Sequence, residues 1–90
     1  MTTTPRLRLL TRADCHLCEV AARDLADLGV AFEEVDMDSE PALEERYGDA
    51  IPVLLIGERE LARAPIWPAM LRAALAEAGI APDVQRVRWV

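Results

Sequence analysis

Apolar positions along the chain change their spacing several times, and each change predicts an element. In RLRLLT (6–11), Leu7 and Leu9 fall on one side and Arg6 and Arg8 on the other, which reads as a strand with one face open at that end. From about Cys15 to Leu28 the period lengthens. Leu17, Ala21, Leu25 and Leu28 recur at spacings of four, four and three, predicting an amphipathic helix with Asp14 as its N-cap and Gly29 just past its end.

VAFEEVDM (30–37) reads as a second strand, blurred by Glu33 and Glu34. DSEPALEERYG (38–48) reads as a short helix capped by Ser39, with Pro41 in its first turn and Gly48 closing it. IPVLLI (51–56) is the most apolar run and predicts a buried central strand. Gly57 and Glu58 turn the chain into RELA (59–62), the second strand of a hairpin. A last helix runs from about Ile66 or Pro68 to Ala78, with Trp67, Leu71, Ala74, Leu75 and Ala78 inward and Gly79 closing it. The tail (80–90) alternates weakly, Val87 and Trp89 against Arg86 and Arg88, and is compatible with an added strand or with an extension packed on the domain.

The order is β-α-β-α-β-β-α. The first helix supplies the crossover that a parallel β-α-β unit requires, and the hairpin adds antiparallel strands on the other side. The expected architecture is an α/β fold, a four-stranded mixed sheet with helices on both faces, spanning residues 1–79 and followed by the tail.

Composition narrows the function classes. The 90 residues make one domain. A formal charge of −6 argues against a nucleic-acid binder and against an anionic membrane surface, and suits a soluble monomer. MTTTPRLRLL lacks the basic start and long apolar run of a signal peptide, and no segment approaches the roughly 18 apolar residues of a membrane span. A cytoplasmic location is the expectation, and there a lasting structural disulfide is not expected.

Both cysteines and the one histidine lie together in Cys15–His16–Leu17–Cys18. A thiolate is the attacking species in disulfide exchange, and unpaired amides at a helix start favour it. Cys18 stands close enough to resolve a mixed disulfide on Cys15. His16 when protonated and Arg12 favour the thiolate, whereas Asp14 and Glu19 oppose it. The spacing alone also fits two small buried thiols. A tetrahedral zinc needs four ligands, and His16 as the neighbour of Cys15 is poorly placed to be one, so no metal is expected within one chain. A metal or cluster shared between two chains stays open.

Taken together, residues 6 to 78 resemble the glutaredoxin-like members of the thioredoxin superfamily. The resemblance rests on LRLLTRADCHLC, on the acidic end of FEEVDMD, on the apolar–Pro–apolar run AIPVLL, and on the closing hairpin and helix. It implies a cis peptide before Pro52, with Ile51 offering backbone to an extended substrate. It implies a small oxidoreductase acting on protein disulfides or glutathione mixed disulfides, with Cys15 as nucleophile and Cys18 as resolving thiol. Arg12, His16, Ile51 and Pro52 are the expected substrate-binding residues, Arg12 either as a carboxylate contact for glutathione or as a solvated loop charge. No bound cofactor is implied. Electrons would come from glutathione or from a thioredoxin-reductase-like enzyme.

Two departures bear on the ligand. Glutaredoxins usually place an aromatic residue inside the CxxC, where this chain has His16 and Leu17. They also carry Gly-Gly and an acidic residue after the hairpin, where this chain has Arg63, Ala64 and Pro65. Trp67 beside that segment is expected in the core or groove wall, with a substrate platform as the alternative. A redox-inert or redox-sensing binding module on the same fold, and a metal-carrying dimer, are the competing readings.

Overall fold

The computed structural model describes residues 7–48 and 50–80. The tail after residue 80 and the expected position of Arg6 in the first strand lie outside the described residues. The elements are β1 (Leu7–Thr11), α1 (His16–Asp27), β2 (Glu33–Asp36), α2 (Pro41–Tyr47), β3 (Val53–Ile56), β4 (Arg59–Arg63) and α3 (Pro68–Glu77), with a 3-10 turn over Met37–Ser39.

The strands form one sheet in the order β2-β1-β3-β4. β1 runs parallel to β2, with Leu10 opposite Val35, and antiparallel to β3, with Leu10 opposite Val53. β3 and β4 form the antiparallel hairpin around Gly57. β1 and β3 are therefore the central strands, as their apolar content requires.

Each face of the sheet has its own core. Leu7 and Leu9 of β1, Leu54 of β3 and Ala62 of β4 meet Ala21 and Leu25 of α1 and Leu71 and Leu75 of α3. On the opposite face Leu10, Val53 and Leu55 meet Met37 and Tyr47. The alternation in β1 holds. Arg8, on the Leu10 side, reaches past the second core and donates to the Gly57 carbonyl at 3.0 Å.

Three packing expectations are corrected. Leu17 is exposed; the inward stripe of α1 is Cys18, Ala21 and Leu25, because the first turn points inward between Cys18 and Ala21. Trp67 is exposed because it is the extended N-cap of α3 (φ −96°, ψ 154°), outside the helical stripe, and Ile66 takes the inner position. Ser39 does not cap α2. Proline at position 41 keeps Glu40 out of the helical region (φ −133°, ψ 82°), so α2 begins uncapped by a side chain. Asp36 caps the preceding 3-10 turn instead, accepting from the Asp38 amide at 2.9 Å, while the Ser39 hydroxyl donates to the Asp36 carbonyl at 2.8 Å.

The hairpin carries an irregularity that the sequence pattern does not announce. Leu54 pairs with Ala62 but Leu55 pairs with Glu60, so β4 holds an extra residue, Leu61. One added residue inverts the alternation beyond it. Glu60 and Arg63, three apart, consequently share a side and form a two-pronged ion pair at 2.6 and 2.8 Å.

Gly48 ends α2 with φ 54° and ψ −122°, a region that residues with a Cβ rarely enter. A Cβ there would meet only the Glu44 carbonyl, at 3.8 Å, so the cost of Gly48→Ala is conformational rather than steric. The variant is expected to lose about 1–3 kcal/mol of stability, read as a lower urea midpoint with an unchanged slope.

Candidate functional site

The Cys15–Cys18 segment sits where β1 hands over to α1. Thr11 ends the strand, and the chain needs a sharp reversal before the helix can run back along the sheet. Asp14 provides it with φ 60°, the left-handed conformation that aspartate tolerates better than most residues. Asp14 is therefore a turn residue rather than the N-cap. Cys15 is the N-cap, extended at φ −105° and ψ 101°, and its sulfur accepts a hydrogen bond from the Cys18 amide at 3.2 Å.

This is the position where a helix start offers unpaired amides and the positive end of its dipole. Cys15 is partly exposed, whereas Cys18 is buried at 2% exposure. The two are joined as a disulfide, with Cα atoms 5.2 Å apart. The accessible sulfur is thus also the one that receives the amide. His16, the first helical residue, and Leu17 between the cysteines are both exposed.

The proline-bearing segment just before β3 converges on the same end of the sheet. Because Leu10 pairs with Val53, residue 52 stands one step beyond the pair, beside the outgoing end of β1. The Ile51–Pro52 peptide is cis, as the resemblance implies, and Pro52 is fully buried with Ile51 partly so. The Ala64–Pro65 peptide is also cis, which neither the residue pattern nor the resemblance implies. It follows β4, and the Ala64 amide donates to the Ala50 carbonyl at 3.4 Å, tying the two proline-bearing segments together. The RAPIWP stretch, with two prolines around a tryptophan directly after a strand, was the one sequence signal for an irregular connection there.

Arg12 lies in the turn before the cysteines, but it faces acid. Its Nε is 3.1 Å from Asp38 Oδ1, and its terminal nitrogen is 3.5 Å from Glu44 Oε1. This links the cysteine turn to the segment after β2. On the other side of the site Arg63 is held by Glu60. That hydrogen bond with its charge lowers the Glu60 carboxyl below its ordinary range and raises the Arg63 guanidinium. Among the described residues no group of three or more His, Cys, Asp and Glu side chains could hold a metal ion. No helix among them is long and apolar enough to cross a membrane.

The arrangement supplies an accessible sulfur at a helix start, a second sulfur behind it, and a proline segment alongside. Residues 6–77 match the family model described as Glutaredoxin-like domain (DUF836). An uncharacterized protein of Mycobacterium tuberculosis is 34% identical over 90 residues, covering 88% of this chain and 93% of the relative. Among solved structures, a structural-genomics target protein from X. campestris is 41% identical with a TM-score of 0.70, covering 79% of this chain and 96% of that one. A buckwheat glutaredoxin solved as a glutathione complex superposes with a TM-score of 0.59 at 18% identity, covering 86% of this chain and 82% of that one, a likeness of fold.

Proposed function

The chain belongs to the glutaredoxin-like domain family, and from that membership and the geometry of its cysteine pair we propose that it is a small dithiol–disulfide oxidoreductase. The observation that carries this reading is the division of labour between the sulfurs. The partly exposed Cys15 sulfur receives the Cys18 amide, and the buried Cys18 stands within disulfide range of it.

In the reduced protein the amide and the dipole of α1 favour the Cys15 thiolate. That thiolate attacks one sulfur of a substrate disulfide. The substrate S–S bond breaks, a mixed disulfide forms on Cys15, and the departing thiolate takes a proton from water. Cys18, deprotonated as it attacks, then displaces the second substrate thiol and closes the Cys15–Cys18 bond. Two electrons pass from the protein to the substrate, and the pair must be re-reduced by glutathione or a thioredoxin-reductase-like enzyme. Ile51, His16 and Arg12 border the substrate path, and the buried Pro52 shapes the backbone that Ile51 offers to it. We place the activity in the cytoplasm, on a monomer, with protein disulfides or glutathione mixed disulfides as substrates and with no bound cofactor.

Cys18→Ser tests the order of events. The variant is expected to attack a model disulfide and then stall, accumulating a mixed disulfide on Cys15 seen as a mass increase of one substrate half. The wild type, which resolves the adduct, shows none at steady state. A Cys18→Ser protein that never acquires the adduct, or acquires it only elsewhere, refutes the assignment.

A further inference from the structure

Three large apolar side chains are exposed among the described residues: Leu17 at 52%, Trp67 at 61% and Met70 at 40%. Their placement is not random. β1 and β4 are both antiparallel to β3, so they run in the same direction and end at the same end of the sheet. α1 and α3 follow those strands, pack on the same sheet face and share one core. Both helices therefore begin side by side at the end that carries the disulfide. Leu17 lies between the cysteines, Trp67 caps α3, and Met70 lies in its first turn.

The cations around that end are already committed. Arg12 is paired with Asp38 and Glu44, and Arg63 with Glu60. Asp14 and Glu19 flank the cysteines themselves. The segment that follows β4 contributes few free donors, because Pro65 and Pro68 have no N–H and Pro68 takes the first helical position. Near the Arg63–Glu60 pair, Arg46 lies over the Tyr47 ring at 5.6 Å. Among the described residues, a small substrate bearing exposed carboxylates therefore meets carboxylates beside the cysteines and guanidinium groups that already have partners.

We propose that the site selects disulfides in protein or peptide segments that are neutral or basic and carry an apolar residue beside the cysteine, and that it disfavours the anionic glutathione disulfide. The inference rests on the oxidoreductase reading above and names its substrate class. The apolar neighbour of the substrate cysteine lies against Trp67 and Leu17 while Cys15 attacks. The exchange is the one already written: the protein dithiol is oxidised to the Cys15–Cys18 disulfide, and the substrate disulfide is reduced to two thiols. A dithiol reductant of protein class returns the electrons.

The test follows thiol–disulfide exchange of the fully reduced protein with three probes at equal concentration and physiological salt. They are oxidised glutathione and two matched peptide disulfides, one with leucine and one with glutamate beside each cysteine. The leucine peptide is expected to react about tenfold faster than the glutamate peptide, the ratio that burying one such side chain supports, and faster than oxidised glutathione. Trp67→Ser, at an exposed position where the fold is not at stake, is expected to remove most of the leucine preference and leave the glutathione rate unchanged. Asp38→Asn with Glu44→Gln, which remove two carboxylate charges beside Arg12, are expected to raise the glutathione and glutamate-peptide rates alone. Equal rates for the two peptides, or a Trp67→Ser effect common to all three probes, overturn the selectivity while the oxidoreductase reading stands. A reduced protein inert toward every probe overturns both.

Discussion

Cys15→Ser is expected to bring the reduction of a model disulfide down to the uncatalysed rate, a loss of at least about 10²-fold, as removing an attacking group does in other enzymes. Cys18 cannot take over. At 2% exposure Cys18 sits on the buried side of α1 beneath the more exposed Cys15, so an incoming disulfide cannot reach it in line. It also lacks the cap position: the amide that serves Cys15 is Cys18's own. Following loss of substrate disulfide under single-turnover conditions checks this. Full activity in Cys15→Ser would mean that the exposed sulfur is not the nucleophile. The helix should survive the change, because serine is itself a preferred N-cap and its hydroxyl can accept from the same amide.

The largest stability effect is expected at Leu54. It lies on the central strand β3, between β1 and β4, is fully buried, and packs against α1 and α3 through the first core. Leu54→Ala removes buried methyl groups and leaves a cavity that a sheet position bounded on both sides cannot collapse to fill. The expected loss is about 2–5 kcal/mol. Domains of this kind hold only about 5–15 kcal/mol in all, so the variant should show a sharply lowered urea midpoint or be partly unfolded in buffer. Leu17→Ala is the control. The same substitution at 52% exposure should cost no more than about 0.5 kcal/mol. If the two midpoints shift alike, the assignment of Leu54 to the core is wrong.

The order of elements, the strand directions and the cysteine site were legible in the sequence, because each depends on local spacing. Period two in RLRLL, a wider period after Cys15, and glycines at 29, 48, 57 and 79 punctuate the chain regardless of tertiary context. What could not be read depends on a single backbone angle or on distant partners. Leu17 lies on an ideal helical stripe, yet the phase at which α1 meets the sheet is set where the helix starts. That point is fixed by the left-handed Asp14 and the cap at Cys15. Trp67 looks like core in a periodic reading but stands one residue before its helix. Asp38 and Glu44, which pair with Arg12, lie 26 residues on or farther, and only the return of β2 beside β1 brings Asp38 to it. The extra residue in β4 leaves no pattern at all in RELAR, where polar and apolar residues suit either register.

That one-residue insertion also decides what the sheet does at its borders. Among the described residues β4 and β2 are the rims, and a rim with unpaired amides and carbonyls invites a foreign strand. On the β4 rim the ladder is broken at Leu61, and the charged Arg59, Glu60 and Arg63 are exposed along it. The β2 rim bears Glu33, Glu34 and Asp36, so a second copy docking there in kind would set carboxylate against carboxylate. Crowded conditions that drive plain hairpins into fibrils meet, on this molecule, one seam that does not match and another that repels.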